Sequence, residues 1–248
     1  MPDPVRDFLK GKDPGSYLQS YDPITIPYLL WVLGVMPLSG VYSYFRVRSG
    51  KPLAPKNRRY RAMILMQLLI VFGTFVVAKK NGTILFVGNW PSVWIWTVSG
   101  LYLGLIAARL NSAWRKMSAE RKQRARLLLP ERPQQMWYWL PVSVLAGLSE
   151  ECAFRGLAYL ALREIVGSAS IAVVSCVVAF AVAHMMQGWR GVLGTGLIAI
   201  VMHGLVFLTH GLYLAIGLHA AYDVVIGVIA LRHFMRDDSA PGMQPQTA

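Results

Sequence analysis

From residue 24 onward the chain alternates long apolar runs with polar breaks. Apolar stretches occupy about 24–45, 62–78 and 92–108, and then about 136–162, 169–186, 190–209 and 212–231. The first three are well separated, whereas the last four follow one another with short interruptions. Most approach the roughly 20 residues needed to cross a bilayer. The pattern predicts an all-α fold, a polytopic transmembrane helix bundle of about seven spans. Pro37 inside the first run predicts a kink there. Gly and Ala are frequent in the last four runs, as where helices approach closely. The chain divides accordingly: a polar N-terminal segment at 1–23, accessory transmembrane helices with basic loops at 24–135, a helical core expected to carry the chemistry at 136–231, and a polar tail at 232–248. No internal repeat is evident. No cleavable signal peptide is expected, because the opening residues are polar and the first apolar run is too long for a signal h-region.

Composition and charge sharpen this picture. The 248 residues are 55% hydrophobic with a formal net charge of +13, more apolar than a soluble domain needs. The positive charge sits between the apolar runs, in "RVRSGKPLAPKNRRYR" (46–61) and "RLNSAWRKMSAERKQRARLLLPERPQQ" (109–135). These blocks lie two spans apart and share a side. With seven spans, Arg232 and Arg236 share it too. The positive-inside rule makes that side cytoplasmic and puts the N-terminus outside. The expectation is an integral membrane protein of a bacterial inner membrane, whose basic segments face lipid headgroups and not nucleic acid. Cys152 and Cys176 fall in apolar stretches and read as small buried residues. "MWYWL" (136–140) reads as an interfacial aromatic belt.

The chemistry lies in the few polar residues of the apolar half. Between 136 and 231 the only acidic residues are Glu150, Glu151, Glu164 and Asp223, and all five histidines fall at 184–233. An ionisable group inside a bilayer costs at least ~2.5 kcal/mol and asks for a reason. In "GLSEECAFRG" (147–156), Glu151 and Arg155 stand at i and i+4, close enough to pair on one helix face. Glu150 points about 100° away, so the arginine can hold one carboxylate while the other stays available. His219 and Asp223 repeat the i, i+4 spacing in the last span, as do Phe180 and His184 in the fifth. Brought together, these groups suit water activation: a desolvated carboxylate as general base, an imidazole sharing the water, and a second imidazole facing a developing oxyanion. Glu164 beside Arg163, and His233, read as residues of span ends. His203 and His210 read as helix–helix hydrogen-bonding residues.

These residues resemble the CPBP intramembrane proteases, which include the type II CAAX prenyl endopeptidases and bacterial proteins linked to bacteriocin processing and self-immunity. The resemblance covers roughly 136–231 and rests on three motifs in order: "EECAFR" (EExxxR), "FAVAH" (FxxxH) and "HAAYD" (HxxxN or D). It implies a membrane-embedded glutamic endopeptidase that hydrolyses a peptide bond without a cofactor. By position, Glu150 is the general base on the attacking water, His184 positions that water, Glu151 and Arg155 support the site, and His219 with Asp223 forms the oxyanion side. Asp223 departs from the amide carried by the eukaryotic members, and as a carboxylate it can orient His219 but not donate to an oxyanion. The implied partners are a peptide or protein substrate and membrane lipids.

Other readings of the same residues remain. The Glu–Arg cluster could be a buried structural ion pair in a non-catalytic immunity or scaffold protein. Glu150, His184 and Asp223 could form a proton relay in a transporter, although no inverted repeat is evident. The chain has no HExxH motif, but His184, His219 and a carboxylate could bind a metal.

Overall fold

The structure, a computed structural model, describes residues 21–88 and 90–238. Most of the polar segment 1–23 and the last ten residues of the tail lie outside them. The described residues form helices and no strands. In chain order these are α1 (Thr25–Arg48), α2 (Lys56–Lys80), α3 (Val93–Arg115), α4 (Ala119–Leu128), α5 (Met136–Glu150), α6 (Tyr159–Val166), α7 (Ala169–Ala183), α8 (Trp189–Thr209) and α9 (Tyr213–Asp238). Five of them, α1, α2, α3, α8 and α9, are long and apolar enough to cross a membrane. Two predicted spans take other forms. Residues 136–166 are one continuous helix interrupted by a π-helical segment, Glu151–Ala158. The 15-residue α7 is about 22 Å long, short of the roughly 30 Å hydrocarbon core. A π segment also interrupts α1 at Trp31–Val35, just before Pro37.

Apolar side chains cover the outside of the bundle as well as filling its core, as the solvent of a membrane span requires. α2 shows this well. Its buried positions Tyr60, Gln67, Ile70, Thr74, Val77 and Ala78 form one stripe, while Leu65, Met66, Leu68, Leu69 and Phe72 are exposed. The central helix is α5. It packs on α2 on one side and α9 on the other. Gly147 permits the second contact, because a Cβ there would stand 2.8 Å from Ile216 O and 2.9 Å from Ala220 N. The main core gathers the π segment Glu151–Ala158 with α1, the C-terminal half of α2, and α7.

The basic side is more ordered than its composition predicts. α9 does not stop at 231 but continues to Asp238, with His233 and Phe234 buried against Trp114. Asp237 and Asp238 reach Lys122 (3.4 Å) and Arg126 (2.7 Å) on α4. Lys56 at the start of α2 donates to the carbonyls of Arg126 and Leu129 and pairs with Glu131 at 2.8 Å. His233, near the end of α9, donates to Asn111 Oδ1 at 2.8 Å and stacks on Trp114. The aromatic stretch 136–140 also divides. Trp137 is 81% exposed, as a belt residue should be, but Trp139 is buried and donates to the backbone carbonyl of Asp223 at 2.9 Å.

Candidate active site

The three motif-bearing helices converge where α5 passes into its π segment. Glu151 is fully buried and Arg155 nearly so (2% exposed). They pair at 3.3 Å across one turn, as the spacing predicts. The Arg155 guanidinium lies over the Phe180 ring at 4.2 Å, a cation–π contact that fixes its plane. Phe180 thereby connects the EExxxR and FxxxH motifs, and its carbonyl accepts from His184 Nδ1 at 2.8 Å. A carbonyl can only accept, so the His184 proton sits on Nδ1 and the neutral ring presents a bare Nε2. α7 ends at this residue and a 3-10 turn, Met185–Gln187, follows. The shortness of α7 therefore holds His184 within the bundle and not at its far face.

His219 differs from the sequence-based expectation in its partner. Its Nδ1 lies 2.7 Å from Glu151 Oε1, while Asp223 Oδ2 stands 3.8 Å from Nε2. Glu151, and not Asp223, orients the ring. The reason is the close approach of α9 to α5 at Gly147, which no spacing within α9 can reveal. Asp223 is held through its backbone by Trp139, a residue that sequence reasoning assigned to the membrane interface.

Glu150 occupies the centre. Its Oε2 lies 3.8 Å from His184 Nε2 and 3.8 Å from His219 Nε2. Both separations are too long for direct hydrogen bonds and suit one small molecule touching all three groups. Oε2 is buried without a hydrogen-bond partner among the described residues. Its other oxygen, Oε1, accepts from Gln67 Nε2 of α2 at 2.9 Å. Gln67 was missed from the sequence, although a signal existed: it is the only amide or ionisable residue in the run 62–78.

Glu150, Glu151, Arg155, His184, His219 and Asp223 all line one cavity of about 570 Å³. Its walls are mainly apolar, with contributions from α2, α3, α8 and α9, and Arg121 and Arg124 of α4 stand on its basic side. Cys152 is absent from this lining. It is fully buried in the main core cluster. His203 lies on α8, where it donates to its own helix at Ala199 O (3.0 Å). His210 caps the same helix with positive φ. Among the described residues, no three His, Cys, Asp or Glu side chains are arranged to hold a metal ion.

A family model described as "Type II CAAX prenyl endopeptidase Rce1-like" matches residues 132–225. No curated protein and no solved structure matches the chain. The matched segment begins just before α5 and ends two residues after Asp223, so it contains all three motifs and each of the six side chains gathered around the cavity. Residues 132–225 thus match the model of an Rce1-like domain of the CPBP/CAAX protease family, within a helical bundle that has five helices long and apolar enough to cross a membrane.

Proposed function

We infer that this protein is an intramembrane glutamic endopeptidase that hydrolyses a peptide bond with Glu150 as general base. The observation that carries the reading is the position of Glu150 Oε2, 3.8 Å from the Nε2 atoms of both His184 and His219. A water in this gap can donate one hydrogen to Glu150 and the other to the bare Nε2 of His184. Its lone pair is then free for a scissile carbonyl entering the cavity. The proton taken by Glu150 passes to the leaving amine as the tetrahedral intermediate collapses. His219 serves the oxyanion. With Nδ1–H committed to Glu151, it can donate from Nε2 only as the imidazolium, with the carboxylates of Glu150, Glu151 and Asp223 around it. No step requires a covalent intermediate, a metal or a cofactor.

The remaining features fit a membrane protease. The substrate is a peptide or protein segment that lies in a mainly apolar cavity. The basic segments 46–61 and 109–135 support a topology with the cavity's Arg121 side in the cytoplasm, the N-terminus outside and the C-terminus inside, and a bacterial inner membrane fits this reading. Residues 136–231 carry the chemistry and 24–135 form the accessory helices. The test is comparative peptidomics of cells expressing wild type or Glu150→Gln, followed by turnover of the identified peptide by purified protein with excess chelator. Cleavage should require Glu150 and survive chelation. Equal peptide profiles would remove the enzyme reading in favour of a scaffold.

A further inference from the structure

The hydrogen-bond donor on Glu150 Oε1, Gln67, lies outside the matched domain. Ser149 Oγ donates to Gln67 Oε1, and Gln67 Nε2 donates onward to Glu150 Oε1 at 2.9 Å. A carboxylate only accepts, so the NH₂ end of Gln67 faces Glu150, and the amide oxygen then accepts from Ser149, whose other acceptor, Ala146 O, is more distant at 3.4 Å. Ser149 is fully buried and Gln67 is 8% exposed. The Gln67 bond engages one carboxylate oxygen and leaves the other, Oε2, facing the two imidazoles. Packing secures the position from both ends. Tyr60, seven residues earlier on α2, sits with Trp139 and Val142 of α5 in one buried cluster, and Thr74, seven residues later, pairs with Tyr28 at 2.9 Å.

We propose that Gln67 is a positioning residue of the active site, which holds Glu150 in the rotamer that aims Oε2 between His184 and His219, with Ser149 fixing the sense of its amide. The inference rests on the reading of Glu150 as the base. Gln67→Met keeps the length and bulk of the side chain and removes the whole amide, both the donor to Glu150 and the acceptor of the Ser149 proton. With a processed peptide, purified Gln67→Met is expected to lower kcat about ten- to hundredfold, the usual effect of losing a group that orients a site residue. KM should stay within about twofold, because both ends of the amide are committed to Glu150 and Ser149, and the melting temperature should stay near that of wild type. Ser149→Ala lets the amide turn and should lower kcat about three- to tenfold, one hydrogen bond's contribution. The double variant should fall no further than Gln67→Met, because both act through one bond. Wild-type kcat in Gln67→Met, or multiplicative losses in the double variant, overturns the inference and leaves the role of Glu150 standing. Wild-type turnover by Glu150→Gln instead removes the general-base reading and this inference with it.

Discussion

Arg155→Ala tests whether the centre of the bundle is held by charge. The substitution removes the 3.3 Å pair with Glu151 and the 4.2 Å contact with the Phe180 ring. Glu151 stays fully buried. Removing one partner of a buried pair costs about 3–5 kcal/mol, because the other charge is left without compensation. His219 Nδ1 still faces Glu151 at 2.7 Å and offsets part of the loss, while the lost ring contact adds roughly 1–2 kcal/mol. The two corrections oppose each other, so about 3–5 kcal/mol stands as the expectation. At about 2–4 °C per kcal/mol for a chain of this size, the melting temperature should fall by about 6–20 °C. Tryptophan fluorescence of detergent-solubilised protein during a thermal ramp reads this directly. The double variant Glu151→Leu with Arg155→Met should recover most of the stability, since apolar replacement of a whole buried pair is often neutral. It should not recover activity, because His219 then has no acceptor for Nδ1. A melting temperature for Arg155→Ala within about 1 °C of wild type would refute the buried-pair argument.

Three further outcomes follow from the same geometry. Glu150→Ala and His184→Ala should each abolish peptide cleavage while the protein remains in the membrane fraction, and substantial turnover by purified Glu150→Ala would end the glutamic mechanism. Gly147→Ala should cost about 1–3 kcal/mol in thermal stability and lower kcat, because the added methyl meets the α9 backbone and moves His219 from Glu151; an unchanged melting temperature and kcat would show that the two helices separate freely. Cys152→Ala should keep most of the activity, since its thiol is buried in the core away from the cavity; a loss as deep as that of Glu150→Ala, with the fold intact, would move the nucleophile from water to the thiol.

What the sequence revealed and what it concealed divides along the reach of local geometry. Glu151 and Arg155 were legible as a pair because helical spacing alone brings them together, and the structure keeps them at 3.3 Å. The run 62–78 was legible as a span because its length and unbroken apolar character suit lipid, and it forms the core of α2. The partner of His219 was not legible. Within α9 the only acidic residue at helical spacing is Asp223, yet the docking of α9 on Gly147 delivers the ring to Glu151, 68 positions earlier in the chain. The π segment Glu151–Ala158 and the shortness of α7 were also hidden, since apolar composition does not distinguish a wide turn from a regular one. Gln67 stood out as a lone amide among apolar residues, but its reach to Glu150 depends on the packing of α2 against α5.

That last dependence bears on how the domain should be conceived. The matched segment, 132–225, supplies the three motifs. It does not supply the donor on Glu150 Oε1, which comes from α2, nor the α3 and α4 walls of the cavity. Nor does it contain the end of α9, whose carboxylates at Asp237 and Asp238 hold α4 in place. Taken alone, the segment would leave the Glu150 face of α5 open to lipid, where an unpaired carboxylate is costly. Gln67 offsets that cost with a hydrogen bond and, by engaging one oxygen, selects the other for chemistry. The first helices therefore do more than anchor the protein: α2 closes the site from the side that the motif-bearing helices leave uncovered.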